Sequence, residues 1–466
     1  MTVIDIFKEI ASIPRETENE EKIADYLCQF AQKRNLKYYR DKYNNVIIKK
    51  KTLDVKPLIL QAHTDMVCEK DPNINFNFEK DSIEVIEENG FLKANGTTLG
   101  ADNGIGVAQI LYILDSDIKC NIEAVFTVSE ETTMNGAFKL DTNKLDGKML
   151  LNLDGFKEDT IIVESAAFYD IIFKSNYKFV NSQNEYEYKL KLSGLKGGHS
   201  GFDINKDVGN SSILLAEILK EVKDVEIISF IGGTKFNVIP SEAEAVIKTN
   251  LQEDDLKNIV KIKLEKIRRK ELIVNIEKNN KEKMSMMDKQ KVLSKEQTKK
   301  FINSIINFQH GVINVNEQNE TTTSVNLGVV NLRENILKIG MRSSRKNEEE
   351  NCIEKLKEYA KRNSLEFEIL GHQPGFQTNG TDKIVEILKD SFHQVKENKD
   401  RKLNIQAVHI TVEIGIIKEK MPDLQVAIIS PNIQGAHTIS EKVEIASIER
   451  TTKWIEKFIE NLIKNN

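Results

Sequence analysis

Leu60-Gln61-Ala62-His63-Thr64-Asp65-Met66-Val67 is the stretch that decides how this chain is read. The apolar run Pro57-Leu-Ile-Leu60 leading into it predicts a buried strand. That strand delivers a histidine and, two residues on, an aspartate to its C-terminal end. In open α/β sheets, ligands and catalytic groups gather at that edge. His63 and Asp65 therefore call for partners from other strand ends.

Four further segments supply them. Gly100-Ala-Asp102-Asn-Gly104 opens an apolar helix that runs to Leu114, and a predicted strand over 122–128 runs into Ser129-Glu130-Glu131. A strand over 149–153 ends at Asp154-Gly155, and Gly435-Ala-His437 follows a strand over 424–429. Taken singly, each residue has an ordinary explanation. An aspartate opening a helix is most often an N-cap, a Glu-Glu pair in a loop is normally solvated, and a histidine at a strand end is usually just hydrogen-bonded. As a set they are the ligand types of zinc-type sites, brought together by the strand ends of an α/β sheet.

The inventory also matches a specific chemistry. Two metal ions about 3.5–4 Å apart can hold a hydroxide between them and polarise a scissile carbonyl. Each ion needs imidazole and carboxylate, one carboxylate must bridge, and a further carboxylate outside the ligand set must take the proton from water. Another must orient a histidine ligand from behind. His63, Asp102, Glu131, Asp154 and His437 suffice as ligands, leaving Asp65 and Glu130 spare.

The whole chain is compatible with an enzyme of this kind. Its 466 residues, 39% hydrophobic and 30% charged, are enough for two to three domains with real cores. A net charge of −5 argues against a nucleic-acid protein that needs a strongly basic surface. The N-terminus lacks a basic region followed by an apolar core, and no run approaches the ~18 apolar residues of a membrane span. Cys28, Cys68, Cys120 and Cys352 lie far apart and read as reduced thiols, so the expectation is a soluble cytoplasmic protein. Other glycine-dependent chemistries fail on spacing. After Gly104-Ile-Gly106, Gln109 stands where a dinucleotide fingerprint needs glycine, no Gly-Lys-Ser/Thr follows, and no G-x-S-x-G elbow occurs.

Strands alternating with helices up to about 183 predict a mixed or parallel sheet covered on both faces. The pattern changes at 184. A half-exposed strand over 186–192, a helix over 208–222, strands over 226–231 and 242–249 and a helix over 253–269 follow the order of a ferredoxin-like half. A second round (helix 294–306, strands near 323–330 and 335–342, helix 346–363, strand 365–370) reads as a weak duplication. Between the rounds, 278–291, containing Met284-Ser-Met-Met287, has no clear period and reads as a mobile connection. After Pro374-Gly375 the α/β pattern resumes and closes on an amphipathic helix over 443–463. The expected domains are a catalytic one built from 1–183 and 374–466, and an inserted α+β domain over 184–373.

At this point the residues resemble a known family. His63-Thr-Asp65, Gly100-Ala-Asp102-Asn-Gly-Ile-Gly, Glu130-Glu131 and Leu153-Asp154-Gly155 are similar to the co-catalytic zinc exopeptidases, which include aminoacylases, carboxypeptidase G and succinyl-diaminopimelate desuccinylase. The aminoacyl-histidine (Xaa-His) dipeptidase branch resembles it more closely. Gly197-Gly-His-Ser-Gly201, Gln309-His310-Gly311-Val312, Ser324-Val-Asn-Leu-Gly-Val329, Met341-Arg-Ser-Ser344, Pro374-Gly-Phe376 and Gly435-Ala-His437-Thr carry that likeness over essentially the whole chain. Two segments depart from it: Phe376 replaces a tryptophan, and His409-Ile-Thr-Val-Glu413-Ile-Gly415 lacks the small residues usual between its histidine and glutamate.

The resemblance implies a mixed-sheet zinc-exopeptidase-like catalytic domain with an inserted lid of two ferredoxin-like halves. It implies two Zn2+ per chain, with Co2+ or Mn2+ as substitutes: one on His63 and Asp154, the other on Glu131 and His437, with Asp102 bridging. Asp65 would orient His63 and Glu130 would be the general base. In the lid, His199 resembles a histidine that reaches the substrate carbonyl, while Asn237 and Arg342 resemble residues that grip its carboxylate end, a task that suits an arginine fork. The expected activity is hydrolysis of dipeptides, Xaa-His among them. An N-acyl-amino-acid amidohydrolase using the same centre, and a non-catalytic binding protein on the same fold, remain as alternatives. A homodimer is required if His199 serves a neighbouring subunit; a monomer suffices if the duplicated lid imitates a dimer internally.

Overall fold

Leu58–His63 is buried at every position, and a strand apolar on both faces must be covered on both. It lies parallel between Ile122–Thr127 and Met149–Asn152. The register sets His63 opposite Thr127 and Gln61 opposite Asn152, so two strands end level and the third stops two residues short, which puts Asp154 just beyond its end. The structure, a computed structural model, describes residues 1–279 and 291–464. The chain divides into two units.

The first unit comprises Met1–Ser165, Gly375–Val408 and the chain from Val412 onward. Its nine-stranded sheet runs Lys37–Arg40, Val46–Lys50, Ile122–Thr127, Leu58–His63, Met149–Asn152, Gln425–Ile428, Thr160–Ser165 and Phe376–Gln377, with Asn404–Val408 also pairing to Thr160–Ser165. The centre is parallel, the pairs flanking it are antiparallel, and Asn404–Val408 runs parallel to Thr160–Ser165, a mixed sheet as expected. Helices Val3–Ala11, Ala101–Asp115, Lys383–Gln394 and Ile445–Lys464 contribute Phe7, Ile110, Phe392, Trp454 and Phe458 to the core. Trp454 is fully buried, and its indole N–H donates to the Leu388 carbonyl at 2.9 Å. Thr2 and Asp5 form a capping box on the first helix, which fixes the start of the fold.

The second unit, Ala166–Pro374 with His409–Thr411, has its own nine-stranded sheet. The order is Ile273–Lys278, Tyr186–Ser193, Ala243–Thr249, Glu226–Gly232, Thr321–Asn331, Ile336–Ser343, Ala167–Lys174 and Glu366–Gln373, with Gly311–Val315 beside Thr321–Asn331. Every pairing in it is antiparallel. Tyr186–Ser193, helix Ser211–Glu221, Glu226–Gly232, Ala243–Thr249, helix Glu253–Ile267 and Ile273–Lys278 make one β-α-β-β-α-β half. Ala167–Lys174, helix Lys295–Ile306, Thr321–Asn331, Ile336–Ser343, helix Lys346–Arg362 and Glu366–Gln373 make the other. The first half is therefore threaded into the second, after its opening strand.

That threading moves the expected boundary. The sequence pattern opens the inserted domain at 184; the structure opens it at Ala166. Ala167–Lys174 is almost wholly buried, so its sequence lacks the alternation that marks a half-exposed strand. Only its pairing with Ile336–Ser343 and Glu366–Gln373, far downstream, reveals where it belongs. Similarly, the sequence pattern puts His409–Thr411 in the catalytic segment after 374, but it belongs to the second unit, where the Ala166 N–H donates to the Ile410 carbonyl at 3.0 Å. The connection expected over 278–291 lies outside the described residues from 280 to 290. Among the described residues no helix is long and apolar enough to cross a membrane.

The two halves meet where Ile231 and Gly232 pair with Asn331 and Val330. Just beyond, Gly233 has φ of +70°, and a Cβ there would strike the Gly328 carbonyl oxygen. Gly233→Ala is expected to destabilise the protein by about 2–4 kcal/mol, since left-handed strain and a backbone clash add. A lowered urea midpoint at unchanged m-value measures this.

Candidate metal centre

The parallel register brings three strand ends together, and short bonds hold them there. Thr64 donates from both its N–H and its hydroxyl to the Thr127 carbonyl, each at 2.8 Å. This joins the turn after His63 to the segment that carries Glu130 and Glu131. Asp65 is fully buried. Its carboxylate accepts from the N–H groups of Glu130 (3.0 Å) and Glu131 (3.1 Å) and from the Thr17 hydroxyl (2.9 Å). Its Oδ1 also lies 3.3 Å from His63 Nδ1. Asp65 thus lies beside His63 Nδ1 and also anchors the Glu-Glu turn.

Asp102 reaches the cluster because the start of its helix is distorted. Gly100 has φ of +70°, and Asp102 itself is non-helical (φ −82°, ψ 109°). The N-cap position is Gly100, with no side-chain cap; the Asp102 carboxylate is turned to the imidazoles instead. Two buried residues that sequence reasoning missed hold this turn. Glu441 accepts from the N–H groups of Leu99 (2.8 Å), Gly100 (2.9 Å) and Asp102 (3.1 Å). Arg15 donates to the carbonyls of Thr64 (3.0 Å), Asp65 (3.2 Å) and Gly100 (2.6 Å). A Cβ on Gly100 would strike the Arg15 guanidinium, so this glycine makes room for a buried cation.

The five expected ligands converge. His63 Nε2 lies 3.1 Å from Asp102 Oδ1 and 3.7 Å from Asp154 Oδ1. His437 Nε2 lies 3.2 Å from Asp102 Oδ2 and 2.9 Å from Glu131 Oε2. Three overlapping groups have ligand atoms within 4.8 Å of one another: His63 with Asp102 and Asp154, Asp102 with Glu131 and His437, and His63 with Glu130 and Glu131.

The electrostatics follow from crowding. Burial opposes the His63 imidazolium, but Asp154, Asp102 and Asp65 outweigh it and raise His63 well above the usual histidine range. Hydrogen bonds to Asp102 and Glu131 raise His437 to about 11. Burial, then the neighbouring carboxylates against the pull of His63, raise Glu130 and Asp154 well above the carboxylate range. Burial opposes the Asp102 carboxylate too, but the two imidazoles outweigh it and pull Asp102 down.

The donor set fits divalent cations. Asp65, Asp102, Glu130, Glu131 and Asp154 surround two imidazoles, and Glu131 Oε1 is buried with no hydrogen-bond partner. Such an excess of buried negative charge is stable only when matched by cations, and mixed histidine and carboxylate donors suit zinc.

His199, Asn237 and Arg342 all lie in the second unit. His199 pairs with Val238 in a short ladder, and the Ser200 N–H donates to the Asn237 carbonyl at 2.9 Å. Arg342 is buried and donates to the Ser200 hydroxyl (3.3 Å) and the Thr411 hydroxyl (3.2 Å), with His199 Nε2 at 3.5 Å. The Gly201 N–H donates to His199 Nδ1 at 3.2 Å. His409, which bonds the Ser324 hydroxyl at 2.7 Å, joins this cluster.

Residues 59–461 match the peptidase family M20/M25/M40. The chain belongs to the M20 peptidase family. It is a hydrolase of the metallopeptidase type. The cytosol non-specific dipeptidase of Escherichia coli (strain K12) is 32% identical to this M20 chain over 461 residues, 95% of the chain and 94% of that protein. The crystal structure of aminoacylhistidine dipeptidase from Vibrio alginolyticus is 29% identical, covers 98% of the M20 chain and 96% of its own, and superposes with a TM-score of 0.82. Aminopeptidase PepT from Bacillus cereus ATCC 10987, at 16% identity over 99% of the M20 chain and 98% of its own, shares the fold with a TM-score of 0.57.

Glu441→Ala leaves three N–H groups without an acceptor and removes the carboxylate that most favours the buried Arg15 charge. A loss of about 3–5 kcal/mol is expected from three buried N–H groups left unsatisfied at roughly 1–3 kcal/mol each, read from urea denaturation of the metal-free protein. His409 gives a pH signature. Burial, then Arg342, hold it down to about 3, against 6.5 for an unperturbed histidine. Below pH 6.5 the unfolded chain binds a proton that the folded chain refuses until about pH 3, so stability is lost as pH falls through that window. His409→Gln should flatten the dependence of the urea midpoint on pH between 6.5 and 3.

Proposed function

We propose that this chain is a dizinc dipeptidase of the M20 family, hydrolysing Xaa-His and other dipeptides. The observation that carries the reading is Asp102, which offers one oxygen to each imidazole: Oδ1 at 3.1 Å from His63 and Oδ2 at 3.2 Å from His437. A carboxylate split between two histidines suits a bridge. His63 and Asp154 would hold one ion, Glu131 and His437 the other, and Asp102 both. Bound there, the pair supplies Lewis acidity and a water of lowered pKa; Co2+ or Mn2+ would substitute.

Glu130 is the general base. Of the seven clustered residues it is the carboxylate with no ion pair to either imidazole among those within 4 Å. Asp65 fixes its backbone, so its side chain is aimed from a rigid turn. It takes a proton from the attacking water and hands it to the leaving amine. Asp65 keeps His63 oriented by standing 3.3 Å behind Nδ1. Arg342, His199 and Asn237 are assigned to substrate recognition, because buried Arg342 presents the forked donors that suit a carboxylate. A cytoplasmic location is in keeping with the relative named a cytosol dipeptidase and with four unbridged cysteines.

Glu130→Gln is expected to lower kcat by about 10³–10⁴-fold, of the order contributed by a positioned general base, while bound metal stays near two ions per chain. Loss of metal together with turnover would show that base and ligand are interchanged. A panel of dipeptides against N-acyl-amino acids, with and without chelator, tests the substrate class. Preference for acylated substrates would favour the amidohydrolase instead.

A further inference from the structure

Beneath the cluster runs a chain of buried side chains to which no role has been given. Gln61 and Asn152 sit in central strands and are essentially inaccessible, as are Thr127 and Glu413. Polar groups at such positions must be satisfied internally. Glu413 Oε1 accepts from Gln61 Nε2 and from the Thr127 hydroxyl, the latter at 2.7 Å. Gln61 Oε1 accepts from Asn152 Nδ2 at 2.5 Å. Asn152 Oδ1 accepts from the Asp154 N–H at 2.9 Å. The chain therefore ends on the main chain of an expected metal ligand.

Its direction is consistent from end to end. An amide can be turned either way, but Glu413 Oε1, which takes the Thr127 hydroxyl proton, acts there as an acceptor. Glu413 obliges Gln61 to present its NH2, which leaves the Gln61 oxygen for Asn152. Asn152 must then present its own NH2 to Gln61, and its oxygen is left for the Asp154 N–H. The Asp154 N–H, which only donates, requires the same order from the far end, so the two ends agree and Glu413 closes the chain with its acceptor. The Thr127 hydroxyl, which donates to Glu413 and accepts from Gln61 at 3.1 Å, locks the same arrangement from the side.

We infer that Glu413 is a positioning residue for Asp154, acting through Gln61 and Asn152 to orient the ligand of one metal site and not the other. The inference rests on the proposed dimetal centre. The Glu131 and His437 side has different supports, namely Asp65 on the Glu131 N–H and the Gly435-Ala-His437 turn, and the chain does not reach it. Disturbing the chain loosens the ion held by His63 and Asp154 and leaves its neighbour in place.

The test is a two-site Zn2+ titration against a chromophoric chelator, run on the full chain after metal removal, with urea denaturation of each metal-free variant alongside. Glu413→Ala is expected to weaken one of the two sites by about 10–100-fold, the range for loss of an outer-shell partner, and leave the other unchanged. Glu413→Gln keeps an acceptor toward Gln61 and Thr127 and should restore both affinities. Asn152→Asp sets two acceptors against each other and should reproduce the one-site loss without touching Glu413. If wild type binds two ions and Asn152→Asp binds both as tightly, the relay does not exist. Equal weakening of both sites in Glu413→Ala, matched by a lower urea midpoint, would reduce Glu413 to a structural role and overturn the inference. Wild type binding fewer than two ions would overturn the proposed centre itself, and the inference with it.

Discussion

The shared carboxylate of Asp102, caught between His63 and His437, is the constraint on which the first unit depends. Four other carboxylates crowd the same space, and like charges at such range repel unless matched. Taking each such charge out of water costs several kcal/mol. The fold meets that cost with covalent and hydrogen-bonded restraint. Three parallel strands end side by side, Thr64 is bonded twice to the Thr127 carbonyl, and Asp65 gathers two backbone N–H groups. These bonds fix where each side chain of the cluster stands.

Arg15 and Glu441 are the counterpart of that cluster on the Asp102 turn. Glu441 satisfies three N–H groups and Arg15 three carbonyls, so the irregular backbone around Gly100 loses little hydrogen bonding when it leaves helical geometry. The glycines follow from this packing. Gly100 admits the arginine, and at Gly106 a Cβ would strike the Asn103 side chain and crowd the Leu153 carbonyl. What looks in the sequence like a nucleotide loop is a close-packed support for one aspartate.

Much of the centre is legible in the amino-acid sequence. His63, Asp65, Asp102, Glu130, Glu131, Asp154 and His437 stand out because charged residues directly after apolar strands are costly to place and few in number. Arg15, Glu413 and Glu441 do not stand out as supports. Each sits in a segment of ordinary composition, and its importance comes from bonds to residues tens to hundreds of positions away. Gln61 and Asn152 leave a faint trace, as amides interrupting apolar runs, but a single buried amide in a strand has many explanations.

The sequence by itself determined the mixed α/β class, one β-α-β-β-α round followed by an α-β-β-α-β one, and the residue types of the cluster, because periodicity and residue chemistry are local properties. Only the tertiary structure decided that Ala167–Lys174 opens the second unit and that His409–Thr411 returns to it. A fully buried strand carries no face-to-face alternation, so its sheet is chosen by partners that lie far along the chain. The same holds for Asp102: its residue type was plain in the sequence, but its place between two imidazoles depended on the packing of Arg15 and Glu441 around it.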